Sequence, residues 1–372
     1  MSDETLKVIA GSDNKYIARL KKNDSCFLDA GYGKRTLVNS LIGYNDVTEY
    51  EYELKKLIQI SGMKEPPEIV TDLSTKKVKR NDVLWYKIVN ETPFVSATLP
   101  IYLTENKHEV IDGNELLEII IEQMEYGVGL ITIHPTADRE TFEEAKKRIV
   151  PITSRGGGMV LRDLIAKGFK EENVYLKILP QIMHYARKYK VVLSIGTTFR
   201  SANIFDSNDQ AQRMEIEKQI ALAKIISQNN VGVIIESPGH SKPKDIKKIS
   251  SVLKSVGFPI MPLGPIPTDI AIDMDHVAGA IGAVLMGLEG CANILAAVTR
   301  EEHTGGRPSV KSTIESIKTA KIAAHIIDIH NLDDTMKDSE VVQFRAKAHT
   351  CVYGKNTKYC ERCKELCPLN IK

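Results

Sequence analysis

The chain reads as an α/β protein built on a (β/α)8 TIM-type barrel, and three observations predict it. From about Pro67 onward, short β-branched runs alternate with stretches of helical period, the order expected of parallel strands joined by helical crossovers. About eight such units occur with no GxGxxG and no Walker pattern, which favours a closed barrel over an open nucleotide-binding sheet. Polar residues recur at the carboxyl ends of the predicted strands, where barrel enzymes keep their active sites.

In chain order, residues 1–60 form a mixed N-terminal segment and 61–332 the barrel. Its strands are predicted at IVTDL, VSATLPIY, LITIH, IVPITS, VVLSIG, GVIIES, PIMPLG and NILAAVT. Helices such as Glu115 to Tyr126 and Asp209 to Gln228 fall between them. The most apolar stretch, Val277 to Val298, is long enough to span a bilayer but contains four glycines, Glu289 and Asn293, so it reads as a buried helix running into a buried strand. Residues 333–372 form a charged helical arm leading into a cysteine-rich tail.

Composition narrows the function. The 372 residues can bury a large core, and 50 basic side chains against 48 acidic ones give no bulk signal for nucleic acid or an anionic membrane. A polar start, no apolar leader and no secreted-type cysteine framework predict a cytoplasmic, reduced protein.

The tail carries the strongest chemical signal: Cys360, Cys363 and Cys367, followed at once by Pro368. Three thiolates can hold three irons of a [4Fe-4S] cube and leave the fourth open to a small molecule, whereas a cluster used only for electron transfer usually has four protein ligands. With Cys351 just upstream, a four-thiolate zinc site fits the spacing equally well.

At the strand ends stand Asp72, Tyr102, His134, Ser154, Arg155, Arg200, Glu236, His240 and Asp269. In Ser154-Arg155-Gly156-Gly157-Gly158 bare backbone N–H groups and a guanidinium could converge on a phosphate or carboxylate, although a flexible turn would look the same. His240 follows Glu236 past one strand and His303 follows another, so the pair could meet across the mouth as two ligands of a divalent metal. Lone histidines are more often structural; His276 is balanced between the two roles and His325 reads as structural.

Taken together, Gly33-Lys-Arg-Thr-Leu-Val-Asn39, Thr71-Asp-Leu-Ser-Thr75, Leu99-Pro-Ile-Tyr102, Thr132-Ile-His134, Ser154-Arg-Gly-Gly157, Glu236-Ser-Pro-Gly-His240, Leu263-Gly-Pro, Thr268-Asp-Ile-Ala271 and Glu302-His303 resemble the phosphomethylpyrimidine synthase family of radical S-adenosylmethionine enzymes. The resemblance runs in order from about Gly33 to Cys367 and turns the tail reading toward a [4Fe-4S] cluster. It implies a lyase that converts 5-aminoimidazole ribotide to the thiamine pyrimidine. It further implies a homodimer whose cysteine tails reach the partner's barrel mouth, and an electron donor for the cluster.

By the same resemblance, Tyr102, His134, Ser154, Arg155, Gly156, Arg200 and Glu236 would bind the ribotide. Glu236 would also take part in catalysis with Cys360, Cys363 and Cys367, which hold the cube, and His240 and His303 would hold zinc or iron. The sequence departs from the family pattern at Leu41, Thr71, Met261 and Thr197-Thr198-Phe199, and its C-x2-C-x3-C spacing is one residue shorter. Those departures leave open a paralog that makes 5-hydroxybenzimidazole from the same ribotide, or a non-catalytic ribotide- or metal-binding relative.

Overall fold

The computed structural model describes residues 4–9, 15–76, 83–105, 109–354 and 361–370. Eight parallel strands form the barrel: β4 (Leu37–Ile42), β5 (Ile69–Asp72), β6 (Val95–Thr98), β7 (Leu130–Ile133), β8 (Val192–Ile195), β9 (Val233–His240), β10 (Ile260–Ile266) and β11 (Ile294–Ala297). Their order is β10-β9-β8-β7-β6-β5-β4-β11, as the alternating sequence pattern predicts. The seam between β10 and β11 is joined by one residue. Asn293 donates its backbone N–H to the Ile260 carbonyl at 2.9 Å, and its side-chain oxygen accepts from the Ile260 N–H at 2.9 Å.

A three-stranded antiparallel sheet, β1 (Leu6–Val8), β2 (Tyr16–Asn23) and β3 (Cys26–Gly31), precedes the barrel. Ala18, Leu20 and Ala30 from this sheet pack with Leu37, Ile69, Val95, Leu130, Val192 and Ile294 at or near the starts of the barrel strands. The sheet therefore covers the amino-terminal end of the barrel.

Two expectations need correction. Barrel strand β4 lies inside residues 1–60, so the barrel begins before residue 61. Its central Asn39 and Ser40 interrupt the apolar run that marks the other strands. The expected strand IVPITS is not one. Ile149 and Val150 donate their N–H groups to the Asp206 carboxylate rather than to a neighbouring strand, and Pro151 has no N–H to give. The eight-strand total survives because the two errors offset each other.

The crossovers follow the helical pattern. In chain order they include α1 (Tyr50–Ser61), α2 (Leu84–Glu91) and α3 (Gly113–Glu125), which the Asp112 side chain caps by accepting from the Asn114 N–H. Between β7 and β8 lie three helices, α4 (Arg139–Ala145), α5 (Arg155–Ala166) and α6 (Val174–Tyr189). Next come α7 (Gln210–Gln228), capped by Asp209, and α8 (Pro243–Lys254). The apolar stretch resolves into α9 (Asp275–Leu288) and then β11, as expected, and no described helix is long and apolar enough to cross a membrane. The capping box of Ser309 and Ser312 starts α10 (Val310–Leu332), and α11 (Met336–Ala348), which has no buried residue, leads toward the tail.

Candidate active site

A cavity of about 280 Å3 opens at the carboxyl end of the barrel. Tyr102, His134, Ser154, Arg155, Arg200, Glu236, His240 and His303 all line it, so eight of the side chains singled out in the sequence meet in one place.

The two histidines are fixed from behind. His240 ends β9, where its N–H donates to the Ser201 carbonyl at 3.0 Å and its own carbonyl accepts from the Ser201 hydroxyl. Its Nδ1 lies 2.6 Å from Asp269 Oδ1, and His303 Nδ1 lies 2.6 Å from Asp275 Oδ1. With both Nδ1 atoms committed to carboxylates, the two Nε2 atoms face each other at 3.1 Å. At metal–nitrogen distances of about 2.0–2.1 Å that separation subtends roughly 95–100° at a shared cation, so the pair fits two ligands of one divalent ion. Burial lowers the His240 pKa, opposed by Asp269, which keeps its Nε2 available. No three His, Cys, Asp or Glu side chains converge as a metal set among the described residues.

Glu236, four residues before His240 on β9, is buried. Its Oε1 accepts from Thr132 Oγ1 at 3.0 Å and Ser194 Oγ at 2.8 Å. Oε2 has no protein donor among the described residues. Burial raises the Glu236 pKa against those hydrogen bonds and the Arg200 charge. The His134 ring is enclosed, its Nδ1 is buried without a partner, and burial together with the nearby Arg200 charge lowers its pKa to about 3. It is a neutral imidazole at any physiological pH. Burial also raises the Tyr102 pKa and keeps its hydroxyl a phenol, while Arg155 stacks 4.9 Å above its ring.

The glycine run is a helix start. Ser154 caps α5 by accepting from the Gly157 N–H at 3.1 Å, so its hydroxyl serves the helix while the positive end of the dipole faces the cavity mouth. Two of the three glycines are sterically required. A Cβ on Gly156 would stand 2.4 Å from His134 Cε1 and one on Gly157 would stand 2.5 Å from Thr198 Cα, whereas one on Gly158 would meet nothing nearer than 4.0 Å. Gly156 thus acts by letting the helix start approach His134.

Some strand-end residues do other work. Asp72 is buried, with its two oxygens accepting from the Ser74 and Trp85 N–H groups at 2.8 and 2.9 Å; it holds a loop and does not line the cavity. Asp269 orients His240. His276 is buried with Nε2 3.9 Å from Glu315, away from the cavity lining, and its neighbour Asp275 does the work at the site. His325 pairs with Asp338 at 2.6 Å.

The sequence reading missed Glu215. Its buried carboxylate on α7 accepts from Thr136 Oγ1 and the Thr198 N–H at 2.6 Å each and from the Phe199 N–H at 2.8 Å, fixing the turn that delivers Arg200. A legible signal existed: Ala211, Glu215, Gln219 and Ala223 form one buried i, i+4 stripe, and polar side chains on such a stripe need partners.

In the tail, Cys363 is half-buried and Cys367 buried, on either side of the tight turn Lys364–Leu366, while Cys351 is exposed and Cys360 lies outside the described residues. Cysteines spaced around a turn in this way suit cluster ligation in donor chemistry and sequence spacing.

A family model described as "Radical SAM ThiC family" matches residues 6–371. A phosphomethylpyrimidine synthase from Clostridium acetobutylicum is 31% identical over 339 residues, covering 88% of this chain and 76% of that one. Another from Sulfolobus acidocaldarius is 28% identical over 399 residues, covering 99% and 91%. Among solved structures, dihydropteroate synthases from Xanthomonas albilineans (TM-score 0.45, 10% identity, 82% and 97% covered) and Coxiella burnetii (TM-score 0.43, 11%, 83% and 99%) are similar only weakly.

Proposed function

Because the chain belongs to the radical SAM ThiC family, we propose that it is a lyase that converts 5-aminoimidazole ribotide to the phosphorylated thiamine pyrimidine. The observation that carries this reading is the single cavity in which Tyr102, His134, Ser154, Arg155, Arg200 and Glu236 converge beside the His240–His303 pair. A substrate with an anionic end and a polar heterocycle suits that lining.

In this reading Arg155, Arg200 and the start of α5 bind the phosphate by charge and helix dipole. Glu236 accepts a hydrogen bond from the substrate or holds a proton at Oε2, its raised pKa favouring either role. The neutral His134 bounds the pocket without adding charge. His240 and His303 hold zinc or iron, and Cys360, Cys363 and Cys367 hold a [4Fe-4S] cluster. When bound, that cluster and S-adenosylmethionine supply one-electron radical chemistry, while the plugged barrel excludes water. An external electron donor serves the cluster. The chain works as a homodimer, a reading supported by exposed Ile281, Leu285 and Leu288 on α9 and Ile322 and Ile326 on the adjoining α10.

One observation favours a second reading. Leu41, Thr71 and Met261, three places where the sequence departs from the resemblance, all line the cavity. A changed wall suits a changed product, 5-hydroxybenzimidazole from the same ribotide.

The test is an anaerobic assay of protein reconstituted with iron and sulfide, given reductant, S-adenosylmethionine and aminoimidazole ribotide, with products identified by mass spectrometry. A phosphorylated pyrimidine is expected, and a hydroxybenzimidazole would select the second reading. Deoxyadenosine with neither product would mean another substrate. None from a fully loaded cluster would leave a non-catalytic binding protein.

A further inference from the structure

Asn39, on β4, lines the cavity wall and is 2% exposed. Its side-chain oxygen accepts from Thr71 Oγ1 at 2.8 Å, and its amide nitrogen donates toward Met261 Sδ at 3.7 Å. Thr71 and Met261 are each 4% exposed, so the trio is held inside the barrel. Met261 Sδ can accept but not donate, so it takes the amide nitrogen and leaves the oxygen to the Thr71 hydroxyl, which holds the amide in that sense; the nitrogen keeps a second N–H for which the described residues offer no acceptor. A buried amide donor left open at a cavity wall calls for a partner from the ligand.

Glu236, on β9, is arranged in the opposite sense. Its Oε1 is taken by Thr132 and Ser194, and Oε2 is left without a protein donor among the described residues. With β10 and β11 between their strands, Asn39 and Glu236 border one cavity as an oriented donor and an oriented acceptor.

We propose that Asn39 is a specificity-determining residue that donates its free amide N–H to an acceptor nitrogen on the substrate's heterocycle, that Thr71 is the positioning residue that sets the amide, and that Glu236 receives a donor on the same ring. The substrate class is a ring that carries an acceptor nitrogen and an N–H or amino donor on separate edges, attached to a phosphorylated sugar. This inference rests on the proposed function for the anionic end and adds how the other end is read. It gives Thr71 a role beyond altering the size of the pocket, because its hydroxyl orients the group that touches the ring. A methyl in place of that hydroxyl would free the amide to rotate.

The test is calorimetric binding of two probes, aminoimidazole ribotide and ribose 5-phosphate, to the reconstituted full chain and to Thr71→Val, Thr71→Ser and Asn39→Leu. The wild-type chain is expected to prefer the ribotide. Thr71→Val and Asn39→Leu should weaken the ribotide roughly three- to tenfold, the loss of about one hydrogen bond, with ribose 5-phosphate unchanged. Thr71→Ser, which keeps the hydroxyl, should bind like the wild type. Equal affinity of the wild-type chain for both probes would overturn the inference while leaving the phosphate site intact. Unchanged ribotide binding in Thr71→Val and Asn39→Leu would also overturn it, as would equal losses for both probes, which would mark the wall as structural. Failure of the wild-type chain to bind either probe would sink the proposed function and this inference with it.

Discussion

The Nε2 atoms of His240 and His303 face each other at 3.1 Å, and each ring is held from behind by an aspartate oxygen at 2.6 Å. Donation of both Nδ1 protons to carboxylates would turn two lone pairs toward one point, an arrangement that a shared proton or cation relieves. The negative charge behind each ring also raises its basicity as a ligand. The arrangement favours a divalent cation.

His240→Ala or His303→Ala is accordingly expected to abolish binding of the second metal without loss of the cluster. Asp269→Asn, which keeps the shape but weakens the hydrogen bond, should lower metal affinity by about 10–100-fold. Metal analysis after dialysis against graded chelator checks both. Unchanged metal content with both His240→Ala and His303→Ala in one chain would make the pair structural.

The glycines at the start of α5 give a contrast within three consecutive residues. Gly157→Ala would set a methyl 2.5 Å from the Thr198 backbone, in the turn that carries Arg200. We expect a loss of about 1–3 kcal/mol in stability and weaker phosphate binding. Gly158→Ala has room, and its backbone is not in the left-handed region, so it should be neutral or gain a few tenths of a kcal/mol, at most about 1. Thermal melts with and without inorganic phosphate distinguish the two.

Much of this was legible in the sequence, because alternating β-branched and helical runs and polar strand ends are local signals. The strand at Leu37–Ile42 was not, since Asn39 and Ser40 obscure the period that sets a barrel strand apart. IVPITS misled because β-branched composition reports propensity and not whether a neighbouring strand has free backbone groups; here Asp206 takes the N–H groups instead. Most of the side chains singled out in the sequence that line the cavity stand at or just past strand ends, Ser154 and Arg155 at a helix start instead. The groups that orient them, Asp275 for His303 and Glu215 for the Arg200 turn, belong to helices 28 residues upstream of the histidine and 15 downstream of the arginine, so only the fold brings them together.

Cluster ligation by the tail predicts that Cys363→Ala loses iron, acid-labile sulfide and turnover together while the barrel keeps its melting temperature. Little couples the two parts energetically, since α11, which leads to the tail, has no buried residue. Full activity in that variant would refute the cluster assignment. Loss of iron from a Cys291→Ala variant would be equally unexpected: burial pushes the Cys291 thiol up to about 12, and it donates toward the Ser250 carbonyl, as a structural thiol does.

His134 gives a pH dependence whose sign follows from its burial. Its pKa falls from 6.5 to about 3 on folding, chiefly by desolvation, with the Arg200 charge acting in the same direction. Between those values the unfolded chain binds a proton that the folded chain does not, so acidification stabilises the unfolded state. The contribution of neutral His134 is complete above about pH 6.5 and falls by about 1.4 kcal/mol for each pH unit below it, until the folded-state pKa is reached. His134→Gln, which has no titrating group, should therefore show a shallower loss of stability than the wild type between about pH 6.5 and 4. Urea midpoints at half-unit pH steps measure the difference. Parallel curves for the two proteins would mean that the imidazole is protonated in place, with a counter-charge in the cavity to hold it.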